Sequence, residues 1–189
     1  MDTTTQRIDE WLRDAHAAEA QAATMMRGTA SRNDDYPEFS RRLNEQAGLC
    51  DNHARAIDQC LADRGSSTSL VKDATGQATA WGQSLSGLVV GDEVVKAALA
   101  TTTFARMLAS SGRVLAAGAG EEGQTETERL CGAMADENER FADDLEAMLP
   151  SLTAQYLARE TSGTSENGAM AEPNRPQAPT VAGTGRRFE

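Results

Sequence analysis

Between Pro37 and Gly65 the chain reads PEFSRRLNEQAGLCDNHARAIDQCLADRG. Its apolar side chains fall in one register, Phe39, Leu43, Ala47, Cys50, Ala54, Ile57 and Leu61, always three or four residues apart. At about 3.6 residues per turn that spacing lines one face of an α-helix and leaves the charged residues on the others. Pro37 suits the first helical position, where no backbone N–H is required, and Gly65 after Arg64 suits a helical stop. A helix with one apolar edge gains most of its stability from packing, so the stretch demands partners of the same kind.

Such partners lie on both sides. Upstream, Ile8, Trp11, Leu12, Ala15, Ala18, Ala22, Met25 and Met26 predict a helix from about Thr5 to Ala30, with Thr3 to Thr5 available as N-cap and Asp9 and Glu10 complementing the helix dipole. Asn33 to Asp35 interrupt the pattern before Pro37. Downstream, Val94, Ala98, Ala105, Leu108 and Leu115 predict a third long helix, begun by Asp92 as N-cap and ended by Gly118 to Gly123. Leu130, Met134, Phe141, Leu145 and Leu149 predict a fourth, which Pro150 is expected to stop or bend before a short helix over Leu152 to Arg159. Between helices two and three, Leu70, Val71, Ala74, Ala78, Trp81, Leu85, Leu88 and Val89 keep helical spacing despite Gly76, Gly82 and Gly87, and read as a shorter crossover helix. Four long helices with one long connection in the middle predict an all-α, ferritin-like four-helix bundle over residues 1–160. Asp51, Arg55 and Asp58 recur with the same spacing as Asp136, Arg140 and Asp143, a faint echo of two related hairpins. Residues 161–189, with three of the five prolines and only Met170, Val181 and Phe188 as large apolar side chains, read as a disordered tail.

Composition narrows the function classes. Asp and Glu number 29 against 18 Lys and Arg, a net charge of −11, and the averaged field repels phosphate backbones and anionic headgroups. Neither a nucleic-acid nor a membrane partner is expected. The polar, acidic start lacks the basic flank and apolar run of a signal peptide, so a cytoplasmic location is expected. Aromatic residues are only 4 % of the chain, which leaves the core to Ala, Leu, Val, Ile and Met. Cys50, Cys60 and Cys131 lack metal-ligand spacing and read as reduced thiols. Cys50 stands three residues from His53, the spacing a thiolate and its base could use, but a cysteine in an alanine-rich stripe is in most cases a packing residue.

Several short blocks, in order, carry a resemblance. They are Trp11-Leu12-Arg13-Asp14-Ala15-His16-Ala17 followed by Glu19, Ala30-Ser31-Arg32, Tyr36-Pro37-Glu38, Val71-Lys72-Asp73, Gly82-Gln83-Ser84 leading to Asp92-Glu93-Val94-Val95-Lys96, and Ala154-Gln155-Tyr156-Leu157. From about Trp11 to Ala158 the chain resembles the YciE/YciF-type ferritin-like stress proteins of bacteria. The resemblance implies a rubrerythrin-like fold, a homodimer and an association with stress responses, and it raises the question of a di-iron centre.

Such a centre needs a Glu from each of two helices and Glu-x-x-His from the other two. No Glu-x-x-His occurs here; the chain offers His16-x-x-Glu19, His53 and the run Asp136-Glu137-Asn138-Glu139. By the resemblance, Glu19 and Glu137 stand at inward glutamate positions and His53 at a Gln or His position. Leu49, Ala105 and Leu108 stand at typical glutamate positions, and Gly112 at a typical tyrosine. Helix three has no carboxylate between Glu93 and Glu121. Glu19, His53 and Glu137, with His16 as a fourth candidate, could hold a residual single Fe, Mn or Zn ion but are too few for a saturated iron pair. The leading expectation is no bound cofactor, with these side chains forming a buried hydrogen-bonded cluster or lying at the wet edge of the bundle. His16 is expected to pair with Glu19 along its own helix. Loss of side-chain volume at Ala105 and Gly112 requires either a closer approach of the helices or a void.

Three functions remain open at this point. The leading one is a non-catalytic stress-associated protein with a degenerate di-iron site, acting through its surface or as a homodimer. The alternative is a metal-binding or di-iron-type oxidoreductase of the rubrerythrin-like kind, and the third is a module recruiting a protein partner through residues 161–189.

Overall fold

A computed structural model describes residues 3–66 and 93–169, with side chains up to residue 162. The expected crossover helix lies outside the described residues, as does the Asp92 cap. Among the described residues the chain is four helices and no strand: α1 (Thr3–Arg32), α2 (Pro37–Asp63), α3 (Val94–Glu121) and α4 (Thr125–Ala169).

The termini form as the local chemistry dictates. In the α1–α2 turn the Asn33 side chain donates to the Thr29 carbonyl, and the Ser40 hydroxyl donates to the carbonyls of Ala30 and Asn33. Helices α2 and α3 close alike. Gly65 and Gly123 take φ values of 73° and 69°, and the next residue's N–H reaches back to Leu61 and to Ala119. A left-handed glycine followed by that long backward bond satisfies carbonyls the helix leaves open.

Pro150 does not end a helix. It lies within α4, which continues to Ala169 in place of a separate short helix, and the expected domain boundary at residue 160 falls inside it. A proline removes one backbone hydrogen bond; here Phe141 and Leu145 before it and Leu152 after it are all buried in one cluster, so packing on both sides carries the helix through.

Cross-helix pairs give the topology of the unit formed by residues 1–156. Going up α1, Asp9, His16, Glu19 and Arg27 meet Arg64, Asp58, His53 and Asp51 going down α2. Arg42, Gln46 and Cys60 of α2 meet Asp144, Asn138 and Thr127 of α4, again antiparallel. In α3, Arg106 pairs with Glu139, Asp143 and Glu146, while Gly112 lies against Cys131 and Ala135. Helices α2 and α3 therefore run parallel, so the end of α2 and the start of α3 lie about the length of α2 apart, about 40 Å for 27 residues at 1.5 Å each. One long connection between two antiparallel hairpins is the ferritin-like arrangement. The echo between hairpins is structural as well: Arg55 and Arg140 donate to the carbonyls of Asp51 and Asp136, while Asp58 and Asp143 pair with the first helix of their own hairpin.

The core is divided in two. One apolar cluster holds Met26, Phe39, Leu43, Phe104, Leu108, Phe141 and Leu145. The other holds Ile8, Leu12, Ile57, Leu61, Leu115, Cys131 and Met134. On every helix the same interval separates them, and those intervals contain Glu19, His53, Gly112 and the pair Glu137–Asn138.

Candidate functional site

That intervening layer is polar, and the helical register explains its membership. Glu19 falls in the buried stripe of α1 between Ala15 and Ala22 and is 2 % exposed. Asn138 stands four residues after Met134 and three before Phe141, while Gln46 stands among the residues of the first cluster, three after Leu43 and four before Cys50, and reaches the layer from there; both are fully buried. His53 is 5 % exposed, while Glu137 reaches the layer from a half-buried position.

His53 is the centre of the arrangement. Its Nε2 is 2.7 Å from Glu137 Oε2, and its Nδ1 is 3.3 Å from Glu19 Oε1, within ion-pair range but misaligned for a hydrogen bond. Asn138 Nδ2 donates to Glu19 Oε1 at 2.9 Å, and Gln46 Nε2 donates to Asn138 Oδ1 at 2.9 Å. Three helices are thereby joined through one chain of polar side chains. Burial alone would lower the His53 pKa, but the carboxylates of Glu19 and Glu137 outweigh it and hold the imidazole above its ordinary value. Cys50, one turn before His53, is also 0 % exposed. Burial, and then the charge of Glu19, push its thiol well above the usual range, so it is an unreactive side chain.

The sequence-expected ligands Glu19, His53 and Glu137 are brought together. The other positions singled out are not donors: Ala105 and Leu108 are buried in one apolar cluster, and Leu49 is half-buried outside both. His16 turns away from Glu19 and pairs across the hairpin with Asp58 at 3.6 Å, because its ring reaches α2 more readily than the residue one turn along its own helix. Gln46 and Asn138 were missed, although each is a polar residue at an inward position of an otherwise apolar stripe, which is a readable signal.

The donor set does not fit a metal pair. His53 faces the two carboxylates from opposite sides of its ring, so the imidazole itself fills the space between them. A cation bound to either ring nitrogen lies on the far side from one of the carboxylates. From α3 the layer receives Ala109 and Gly112 as its buried residues, neither of them a donor, and the backbone at Gly112 lies close: an ideal Cβ built there stands 2.9 Å from the Cys131 carbonyl oxygen. The helices have closed together at this level. Among the described residues, no group of three or more His, Cys, Asp or Glu side chains is placed to hold a metal ion, and no helix is long and apolar enough to cross a membrane.

Comparison with known proteins agrees with the fold. A crystal structure of a protein from Xanthomonas campestris pv. campestris is similar, with a TM-score of 0.71 and 24 % sequence identity over 84 % of this chain and 99 % of that one. A family model described as a domain of unknown function, DUF892, matches residues 3–158, and the chain belongs to that family.

Proposed function

We propose that this chain is a non-catalytic, stress-associated cytoplasmic protein of the YciE/YciF kind, in which a protonated His53 takes the place of a metal between Glu19 and Glu137. The observation that carries the reading is the sandwich itself, one imidazole between two carboxylates, with no donor from α3 at that level. A cation there would neutralise the buried negative charge, and an imidazolium does the same with no metal. With its interior given over to packing and internal hydrogen bonds, the protein acts through its surface, as the homodimer its family resemblance suggests.

The test is metal content. Protein purified without chelators, then incubated with Fe(II), Mn(II) or Zn(II) and desalted, is expected to hold well under about half an equivalent of any of them, unchanged in Glu19→Ala and His53→Leu. Binding near one equivalent that disappears in Glu19→Ala would instead establish the rubrerythrin-like, metal-dependent alternative. One observation favours that alternative: Glu19 Oε2 and His53 Nδ1 are buried and have no hydrogen-bond partner. Light scattering at rising concentration tests the homodimer, and a monomer throughout would refute it.

A further inference from the structure

The second apolar cluster contains two of the three cysteines, Cys60 from α2 and Cys131 from α4. Cys60 is half-buried, and its Sγ already reaches the α4 surface, 3.3 Å from Thr127 Oγ1. Cys131 follows Thr127 by four residues, one helical turn and about 6 Å along the same face. It is fully buried in the cluster against which Cys60 packs. We propose that Cys60 and Cys131 form an oxidisable thiol pair, which hydrogen peroxide closes into an intrachain disulfide tying α2 to α4.

The three thiols differ in a way that sets the order of events. Cys50 is buried beside the Glu19 carboxylate, and Cys131 is pushed up to about 12, mainly by burial. Cys60 has access to solvent and a hydroxyl that can donate to its thiolate. Its thiolate attacks one peroxide oxygen; the O–O bond breaks, the sulfur becomes a sulfenic acid, and the other oxygen leaves with a proton as water. The Cys131 sulfur then attacks the sulfenic sulfur. The S–S bond forms as the S–O bond breaks, and the hydroxyl departs with the Cys131 proton as a second water. Two thiols are oxidised by two electrons and one peroxide is reduced to two waters. A small dithiol reductant reverses the change by exchange.

The experiment is peptide mapping of the full-length native protein after brief treatment with hydrogen peroxide and blocking of free thiols. Trypsin cuts after Arg55, Arg64, Arg129 and Arg140, so the expected product is peptide 56–64 joined to peptide 130–140 in a monomeric chain, with Cys50 recovered as the blocked thiol. Reduction with dithiothreitol should return both peptides unlinked. In Cys131→Ser, and equally in Cys131→Ala should serine disturb the core, Cys60 should be trapped as a sulfenic acid by dimedone. Three results would each overturn the proposal: Cys131 remaining a thiol while Cys60 becomes a sulfinic acid, Cys60 joining two chains together, or Cys50 oxidising as readily as Cys60.

Discussion

Replacing Gly112 with alanine adds a single methyl group at a level where α3 and α4 are in close contact. An ideal Cβ at this position stands 2.9 Å from the Cys131 carbonyl oxygen, 3.0 Å from Ala135 Cβ and 3.2 Å from Ala135 Cα. Two of those atoms belong to the α4 backbone, which cannot rotate away as a flexible side chain would. Alanine in a helix interior is worth about 1 kcal/mol over glycine, while forcing a methyl into a filled interior costs about 1–3 kcal/mol. The net expectation is a loss of about 0–2 kcal/mol. Gly48 of α2 and Gly132 of α4 supply the control, since nothing lies within 4 Å of a Cβ built at either. Alanine there should keep the propensity gain of about 1 kcal/mol, raising Tm by about 2–4 °C in a chain of this size. Urea unfolding followed by circular dichroism compares the three variants directly. If Gly112→Ala stabilises as much as Gly48→Ala, α3 and α4 are not at this separation, and space for larger groups remains at the centre of the bundle.

The charge on His53 gives a pH dependence of known sign. Because the folded chain holds this proton more tightly than the unfolded one, the stabilisation is complete below about pH 6.5 and is lost as the pH rises through the higher native value. Urea midpoints should therefore fall as the pH rises above about 6.5, and the fall should be absent in His53→Gln. An unchanged slope in that variant would mean that a group other than His53, held between Glu19 and Glu137, is what titrates. Arg64 is nearly buried between Asp9 at 2.6 Å and Glu122 at 3.1 Å. Arg64→Ala leaves two carboxylates without their cation and should cost about 3 kcal/mol in thermal or urea unfolding. Arg106→Ala, which breaks more ion pairs on an exposed face, should cost less, and the loss should shrink in high salt. Equal losses from the two substitutions would contradict the burial of the Arg64 cluster.

The long helices were legible because each carries an apolar stripe with few interruptions, and the stops at Gly65 and Gly123 because only glycine takes a left-handed conformation there without strain. Pro150 misled, since a proline's local cost says nothing of Leu152 gripping the core beyond it. His16 misled for a related reason: spacing along one helix does not tell which way a ring points when a second helix offers an acceptor. Glu19, His53 and Glu137 were identifiable through the family pattern, whereas Gln46 and Asn138 could have been read from register alone. The closing of the helices at Gly112 was not readable, because a missing side chain is equally compatible with a void and with contact.

The paired hairpins also bear on how the chain is assembled. Within each, the two helices are joined by a turn of three or four residues, while everything that joins one to the other is distant in sequence. A polypeptide cut between Ser66 and Glu93 would yield two fragments, each with a greasy side that finds its mate only on the other. The covalent tether would then govern how fast the halves meet more than whether they do.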